Sequence, residues 1–483
     1  MIVGGYSLSN RKRTFRLLLV ALVTFGLNLG ADSSANRHEA AVSLNLPNIV
    51  FVQTPKMSSA AGVERFPEGS RLVILRPNAT RISPRVLTEG FFAAADPQVD
   101  FSGKRVLFAG QKAIGDRWQI WEINLDGSAL RQITKCETDC VRPAYLPGDE
   151  IAFTKTGGAA QHRQSSLEVI GLYGANEHAI TFGPGDWWLE TVLRDGRIVA
   201  SANAPLVDSA SGNTNRLLYT LRPDGTGLDS LRCEHDGAVA RGEANELEDG
   251  SIVFTNNTGA LMVLRPGAIH EAKIGKPGNS YRSPSSLQGD SIVVARKPAA
   301  GQRYELVSIS NDGNGDARTL YTDSKFDNLE AVAVVERPVP KKFWSTLIPS
   351  SPSGYFISLD SSNSSDKTEV AGPVRRVRVI ERQPSGQTVL GEAPVETDGS
   401  FYLQVPANQA LRFVLLDEQG NVIREEHSWI WTRPGEQRGC TGCHGDKALA
   451  PENRWPMVLR KQDPPTRLTG KPNDTQTVES HGN

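Results

Sequence analysis

Two cysteines and a histidine lie close together near the carboxyl end of the chain, as Cys440, Cys443 and His444. This Cys-x-x-Cys-His spacing is the signature of c-type haem attachment. The two thiols can add across the vinyl groups of one porphyrin, and the adjacent histidine can reach the iron as its proximal ligand. Gly439 and Gly442 carry no side chain, so the backbone there can approach a macrocycle closely. The segment therefore predicts one covalently bound haem c.

Zinc and a redox disulfide are the competing interpretations of the same three residues. A structural zinc site usually takes four ligands from two spaced pairs, and no second Cys or His pair follows within reach in the sequence. A redox Cys-x-x-Cys normally opens a helix in a βαβ unit, and the surrounding sequence has no such unit. The haem interpretation is favoured over both.

The ligand on the far side of the iron is not identified by spacing. Met457 and His427 are the nearest candidates for this distal position. The histidines elsewhere in the chain are His38, His162, His178, His235, His270 and His481. A methionine beside the haem segment could instead pack on the edge of the haem. An open iron position is the third alternative, and it would allow ligand chemistry beyond electron transfer.

Arginines are well suited to hold the propionates of a haem, because they form charge-assisted hydrogen bonds with carboxylates. Arg433 and Arg438 come just before the first thiol, whereas Arg375, Arg376 and Arg378 lie on a predicted strand. For the three arginines on the strand, a solvated strand face is an equally good interpretation.

A turn followed by a short β-branched strand recurs five times in the larger, amino-terminal part of the chain. The strands contain Val106, Ile151, Ile198, Ile252 and Ile292. The steps between these residues are 45, 47, 54 and 40 residues. A period of this size is typical of propeller blades, and a second alternating strand fits in each interval. The pattern predicts an all-β chain that begins with a β-propeller. A β-sandwich or an irregular β array is the alternative to the propeller.

The number of blades follows from strands outside these five copies. Residues 49–51 and 71–75 indicate a further blade, which the strand near residues 331–335 would complete to close the ring. Six blades are predicted, with seven as the alternative. The repeats resemble those of the TolB-like propeller family.

Composition divides the chain into five segments. They are a signal peptide (1–35), the propeller (41–337), a Pro/Ser-rich linker (338–354), a small β-sandwich-like domain that carries the haem motif (355–470) and a disordered tail (471–483). In the first segment, basic residues precede an apolar run that is shorter than the roughly 20 residues needed to span a bilayer. The protein is therefore expected to be exported to the bacterial periplasm. A membrane is expected as a partner only through an uncleaved signal anchor.

The remaining cysteines and the overall charge add little to this interpretation. Cys136 and Cys140 could form a disulfide that closes a tight loop, whereas Cys233 is predicted to be a lone residue of a blade. A formal net charge of −1 gives no electrostatic reason to expect nucleic acid as a partner.

The order of these parts, together with the Pro434-Gly-Glu-Gln-Arg-Gly-Cys-Thr-Gly-Cys-His444 string, resembles the hydrazine synthase alpha subunit family. The resemblance spans most of residues 41–470 and implies that Cys440, Cys443 and His444 bind haem. It also implies a multi-subunit complex. The family has a further C-terminal domain with a second haem, which this chain is expected to lack. No tyrosine follows His444 closely, although a tyrosine is associated with haem ligation in the family's middle domain.

The expected function is that of an exported monohaem c-type protein for electron transfer, in which the propeller binds a redox partner protein. The alternative is a haem enzyme subunit with an open iron position that acts on a small nitrogen or oxygen species. A third interpretation is a binding module in which the haem is structural. Carbon monoxide separates the first two, because only an open iron position should bind it when the haem is reduced.

Overall fold

The computed structural model describes most of the 483-residue chain. The described residues are 46–55, 66–77, 83–157, 164–203, 216–231, 241–268, 270–298, 302–313, 317–363, 372–383, 386–426, 428–442 and 454–468. The predicted signal peptide and the predicted tail lie outside them.

Six four-stranded antiparallel sheets form the amino-terminal part of the described chain. Their strands are β1 Asn48–Thr54, β2 Arg71–Leu75, β3 Arg85–Val86, β4 Ala93–Val99, β5 Arg105–Gln111, β6 Gln119–Asn124, β7 Arg131–Gln132, β8 Cys140–Leu146, β9 Glu150–Thr156, β10 Ser165–Gly171, β11 His178–Ala179, β12 Trp187–Val192, β13 Ile198–Asn203, β14 Arg216–Leu221, β15 Asp229–Ser230, β16 Arg241–Glu246, β17 Ile252–Asn256, β18 Leu261–Leu264, β19 Ala272–Ile274, β20 Ser280–Ser286, β21 Ser291–Lys297, β22 Glu305–Ser310, β23 Arg318–Tyr321 and β24 Asp327–Val334. Blades two to six take β4–β7, β8–β11, β12–β15, β16–β19 and β20–β23, and blade one has the order β24-β1-β2-β3. The prediction of six blades is confirmed.

Blade one closes the ring, because its strands come from both ends of the propeller sequence. β24 pairs antiparallel with β1, with Val332 opposite Val50 and Asn328 opposite Gln53. Backbone hydrogen bonds therefore join the last propeller strand to the first, as expected for the strand near residues 331–335. The apolar side chains of these strands are buried between the blades.

Each innermost strand of the propeller contains a β-bulge near its middle. At five of the six bulges a residue other than glycine has a positive φ: Asp96 (56°), Arg142 (49°), Glu243 (54°), Ser283 (50°) and Glu330 (52°). Carboxylates at the bulges accept backbone N–H groups from the next blade. These hydrogen bonds are Asp96 N to Glu330 Oε2 (2.7 Å), Arg142 N to Asp96 Oδ2 (2.9 Å), Ala244 N to Glu190 Oε2 (3.1 Å) and Ser283 N to Glu243 Oε2 (2.7 Å). We call the residues of these four hydrogen bonds the bulge belt. They line a cavity between the innermost strands of the propeller.

The second part of the chain is a β-sandwich, as predicted. Its strands are β25 Ser353–Ser358, β26 Arg376–Gln383, β27 Gly386–Pro394, β28 Phe401–Pro406, β29 Leu411–Leu416, β30 Val422–Glu425, β31 Gln437–Cys440 and β32 Thr466–Arg467. The two sheets have the orders β31-β25-β28-β32 and β27-β26-β29-β30. Alternating apolar residues of both sheets form one core, in which the rings of Phe356 and Phe413 lie 4.8 Å apart. A single helical turn, α1 Met457–Arg460, precedes β32.

Between the propeller and the sandwich, residues 336–350 contain no strand, which agrees with the prolines found there. Trp344 in this segment is 85% exposed. No helix within the described ranges is long and apolar enough to cross a membrane. A disulfide joins Cys136 to Cys140 and closes the loop between β7 and β8.

Candidate haem-attachment site

The first cysteine of the Cys-x-x-Cys-His segment ends an edge strand of the sandwich. β31 pairs in parallel with β25, which places Cys440 opposite Ser358, and Leu359 N donates to Cys440 O over 2.8 Å. Cys443 and His444 lie outside the described residues, and so does His427. In the part of the chain that the structure describes, no group of three or more His, Cys, Asp or Glu residues could hold a metal ion.

Cys440 forms no disulfide with any described residue, and its side chain packs against the sandwich core. Burial raises the pKa of Cys440, and the carboxylates of Glu426 and Asp229 raise it further, whereas Arg438 lowers it. The thiol therefore stays protonated near neutral pH and is protected from oxidation, because the thiolate is the reactive form. Covalent haem attachment requires reduced cysteines, and Cys440 would supply one of the two.

The two glycines beside the thiol have different surroundings. A Cβ at Gly439 would meet no atom within 4 Å, so space is open there. A Cβ at Gly442 would lie 2.8 Å from Asn363 O, so the protein backbone itself excludes a side chain at this position. The prediction that both glycines leave room for a macrocycle thus fits Gly439, whereas Gly442 accommodates a neighbouring loop. Because successive residues of a strand face opposite ways, the open space at Gly439 lies on the face of β31 opposite to the Cys440 side chain, which packs against the sandwich core.

The segment that leads to Cys440 is docked on blade four of the propeller. Trp431 is fully buried, and its ring lies 5.3 Å from that of Trp187 and 6.0 Å from that of Phe182. Its Nε1 donates to Gly225 O over 3.0 Å, in the turn between β14 and β15. A large aromatic side chain of the sandwich segment thus becomes part of the propeller core.

Arg433 and Glu436 extend this docking contact. Arg433 Nε donates to Asp224 O over 2.8 Å, and its Nη1 donates to Asn408 Oδ1 over 2.8 Å. The carboxylate of Glu436 accepts Gly227 N at 2.9 Å and Arg433 N at 2.8 Å. Both side chains therefore connect the sandwich segment to the same turn of blade four.

Arg438, two residues before the thiol, completes the contact. Its Nη2 donates to Leu228 O and its Nη1 donates to Trp431 O over 3.1 Å. The guanidinium also lies 5.7 Å from the centre of the Phe356 ring. Arg438 thus donates to two backbone carbonyls, and Arg433 donates to one backbone carbonyl and to the side chain of Asn408. The structure does not support their predicted role in holding propionates.

The three arginines of the predicted strand are at or next to β26, in the other sheet of the sandwich. Arg376 Nη1 lies 3.0 Å and Arg378 Nη2 lies 2.7 Å from carboxylate oxygens of Glu392 on β27. Arg375, just before β26, is exposed. This arrangement corresponds to the solvated strand face, which was the alternative interpretation of these residues.

Met457 begins α1, beside the turn that leads into β28. Its N donates to Asp398 Oδ2 over 2.8 Å, and its sulfur accepts a hydrogen bond from Thr397 Oγ1 at 3.2 Å. Iron ligation by Met457 would have to replace this hydrogen bond, and the distal role of Met457 or His427 stays a prediction. Of the other candidate histidines, His178 lies in blade three and His270 in blade five.

Sequence reasoning missed the turn at residues 224–228 and the role of Trp431. The turn looks like every other Asp-Gly turn of the propeller, so local sequence does not mark it. Trp431 stands three residues before Pro434 and ends the apolar run Trp429-Ile-Trp431, and these large aromatic residues were the signal that could have indicated a buried contact.

Three comparisons with known proteins agree with this architecture. Residues 362–445, which include all three residues of the haem motif, match the family model of the hydrazine synthase alpha subunit middle domain. Hydrazine synthase subunit alpha of Kuenenia stuttgartiensis is 37% identical over an alignment that covers 82% of this chain and 65% of that protein. The chain thus spans less than two thirds of the length of this relative.

Solved structures show a similar fold. A chain of Kuenenia stuttgartiensis hydrazine synthase superposes with a TM-score of 0.76 and 20% identity, over 86% of this chain and 71% of that chain. TolB from Acinetobacter baumannii gives a TM-score of 0.45 and 15% identity, over 61% of this chain and 67% of that chain. On the sequence and family matches, this chain is similar to the hydrazine synthase alpha subunit, and its six-bladed propeller precedes a stretch that matches the middle domain of that family.

Proposed function

We propose that this protein is the haem-binding subunit of an enzyme that acts on a small nitrogen or oxygen species. One haem c would be attached through Cys440 and Cys443, with His444 as the proximal ligand. The observation that carries the proposal is that Cys440, Cys443 and His444 all lie within the stretch that matches the hydrazine synthase middle-domain family. Similarity to a synthase subunit favours the enzyme over a simple electron carrier.

The protein's own residues would hold and shield the haem. Cys440 is the last residue of β31, which pairs with β25. Arg438 of the same strand donates a hydrogen bond to blade four. The sandwich core lies behind the thiol and keeps water from that side. The bound haem would supply an iron that changes oxidation state and, at an open position, binds a small ligand.

We further propose that the chain works in a multi-subunit complex, because the relative in Kuenenia stuttgartiensis is named as a subunit of its enzyme. The test is the native mass of the tagged protein, purified under mild conditions from its own host. We expect a mass well above that of one 52.4 kDa chain, with co-purifying proteins in constant ratio. A native mass equal to one chain would contradict the complex.

The haem is tested by producing the protein with a cytochrome c maturation system. We expect the mass of one added haem, an alkaline pyridine haemochrome typical of thioether attachment, and a spectral shift when carbon monoxide is added to the reduced protein. A covalent haem without a carbon monoxide shift would indicate the electron carrier instead. The absence of covalent haem would refute the proposal.

Matched cysteine variants sharpen this test. Cys440→Ala leaves one thiol for attachment, so we expect a low haem yield and a haemochrome maximum shifted by the remaining vinyl group. Cys233→Ala is the control, because Cys233 lies outside the motif, and its haem yield should equal that of the unaltered protein.

We also propose export, with the periplasm as the working compartment. The basic and apolar residues at the start of the chain and the Cys136–Cys140 disulfide support it, because disulfides persist in oxidising compartments. Residues 1–40 fused to alkaline phosphatase should give an active enzyme, since that reporter needs the periplasm to form its disulfides. An inactive fusion that accumulates in the cytoplasm would contradict export.

A further inference from the structure

A cavity of about 350 Å³ lies between blades two and three of the propeller, and the start of the segment that leads to the sandwich also lines it. We call it the linker cavity. Its volume falls within the range of about 300 to 1,000 Å³ that is common for small-ligand sites. Val339 is 59% exposed, so the cavity reaches the surface of the protein. The apolar part of the lining consists of Phe101, Tyr145, Leu146, Pro147, Leu172 and Val339.

Blade two holds the side chain of Arg337 at the wall of the linker cavity. The backbone N of Arg337 donates to Phe101 O over 2.9 Å, and its Nη2 donates to Val99 O over 2.9 Å. The central carbon of the guanidinium lies 4.6 Å from the centre of the Phe101 ring. A fixed cation and an aromatic ring are therefore neighbours in the lining of this cavity.

Arg337 forms no ion pair with a carboxylate of the described residues. Asp100 also lines the cavity, but its oxygens accept hydrogen bonds from Ser102 Oγ (2.7 Å) and from the N–H groups of Lys104 (2.7 Å) and Arg105 (3.0 Å). Burial lowers the pKa of Arg337, yet a guanidinium stays charged at neutral pH. Because a half-buried cation without a counterion costs free energy, an anion in the cavity would stabilise this arrangement.

The other charges at the linker cavity restrict the anion to a single negative charge. Glu336, Asp149 and Glu150 line the cavity, and the first two are exposed, so that water and salt screen their charges. The ammonium group of Lys342 lies beside Gly148, in the turn between β8 and β9. One guanidinium without an ion pair, surrounded by carboxylates, favours a monoanion over a phosphate or another dianion.

We propose that the linker cavity binds a small organic monocarboxylate. Its carboxylate would accept hydrogen bonds from Arg337, and its apolar body would pack on Phe101, Tyr145 and Val339. Hydrogen bonds between a guanidinium and a carboxylate are strong because both partners are charged, and apolar walls with a few polar groups are typical of small-ligand sites. No residue of the sandwich lines the cavity, so this inference does not depend on the haem proposal.

The test is isothermal titration calorimetry of the full-length protein with benzoate, benzyl alcohol and acetate. Benzyl alcohol has the ring without the charge, and acetate has the charge without the ring. We expect benzoate to bind about tenfold more tightly than either of the others, because it alone uses both the guanidinium and the apolar wall.

Removing the cation tests the role of Arg337. Arg337→Gln should weaken the binding of benzoate about tenfold and remove the preference for benzoate over benzyl alcohol. Arg378→Gln is the control, because Arg378 pairs with Glu392 in the sandwich, and it should leave the affinity for benzoate unchanged.

A second set of variants decides the question even if Arg337→Gln does not fold. Val339→Glu places a negative charge at the exposed edge of the cavity, whereas Val339→Gln has a similar shape without the charge. Benzoate should bind about threefold to tenfold more weakly to Val339→Glu than to Val339→Gln. Val389→Glu is the matched control, since Val389 is 51% exposed on β27 of the sandwich, and its affinity for benzoate should equal that of the unaltered protein.

Three results would overturn the proposal. The first is a lack of benzoate binding by the unaltered protein, or equal affinity for benzoate and benzyl alcohol. The second is benzoate binding that is unchanged in Arg337→Gln and in Val339→Glu, because the ligand would then lie elsewhere. The third is an equal loss of affinity in these variants and in their controls in the sandwich.

Discussion

At the scale of single residues, Trp431 and the glycines of the haem segment show how local contacts hold the site. Trp431 belongs to the sandwich segment by sequence, yet its side chain is fully buried with Trp187 of the propeller. Gly439 comes directly before Cys440, and Gly442 comes two residues after it. Only Gly442 has neighbouring atoms that would exclude a side chain.

We expect Trp431→Ala to lower the free energy of unfolding by about 3 to 5 kcal/mol, because it removes a large buried ring and leaves a cavity. Guanidinium denaturation of the haem-free protein measures this change. Trp344→Ala is the matched control, since Trp344 is 85% exposed, and its effect should stay within about 0.5 kcal/mol. Equal effects of the two substitutions would contradict the docked position of Trp431.

We expect Gly442→Ala to destabilise the haem-free protein by about 1 to 3 kcal/mol, because the new methyl group would overlap Asn363 O. Gly439→Ala should leave the free energy of unfolding of the haem-free protein nearly unchanged, because no atom is near. The same denaturation experiment compares them. A larger loss of stability in Gly439→Ala than in Gly442→Ala would contradict these surroundings of the two glycines.

At the scale of elements, the bulge belt explains how six similar blades hold one ring. At four of the six bulges a backbone N–H points toward a neighbouring blade and donates to a carboxylate there. Glu243 shows the pattern most fully: it accepts Ser283 N at 2.7 Å and Arg282 Nη2 at 3.0 Å. Neighbouring blades are thus connected by charge-assisted hydrogen bonds as well as by apolar packing.

Glu243 should contribute to the pH dependence of stability. Burial raises the pKa of Glu243, but Arg282 and the N–H of Ser283 outweigh burial and hold the pKa below its ordinary value. A carboxylate with a depressed folded-state pKa stabilises the fold above its unfolded-state pKa of about 4.3, and this contribution is lost as the pH falls through the folded-state value.

Glu243→Gln should therefore lower the free energy of unfolding at pH 7 by about 1 to 3 kcal/mol and flatten its decline below about pH 4.3. Urea denaturation between pH 7 and pH 3 measures both effects. Glu89→Gln is the control at an exposed position, and its curve should overlay that of the unaltered protein. A parallel decline in the two variants would show that Glu243 does not contribute.

At the scale of the whole molecule, the turn at residues 224–228, the docking turn, connects the propeller to the sandwich. It accepts or donates hydrogen bonds with the side chains of Trp431, Arg433, Glu436 and Arg438. Three of these residues lie within the string that carries the family resemblance, or directly before it. The same short string thus attaches the haem and docks its strand.

We expect Gly225→Ala to separate the unfolding of the two parts, because a Cβ at this position enters the docking contact. Calorimetry of the haem-free protein should show one main transition for the unaltered chain and two for Gly225→Ala. Gly267→Ala, with a similar positive φ and open space, should retain one transition. Two transitions in the unaltered chain would show that docking does not couple the two parts.

The repeated turn-and-strand pattern and its period were sufficient to predict the six blades, because both are local properties of the sequence that the structure repeats. The Cys-x-x-Cys-His spacing likewise identified the candidate site, since attachment chemistry depends on neighbouring residues. The sequence by itself therefore determined the architecture and the residues that could carry a haem.

Tertiary structure alone decided which surfaces meet. Arg433 and Arg438 were predicted to hold propionates, but blade four presents backbone carbonyls to them instead. Nothing local distinguishes Asp224-Gly225 from the other Asp-Gly turns, because its role arises from contacts with residues 431–438, far along the chain. Such contacts depend on the packing of two complete parts, and for that reason only the folded chain reveals that the propeller contacts the segment that leads to Cys440.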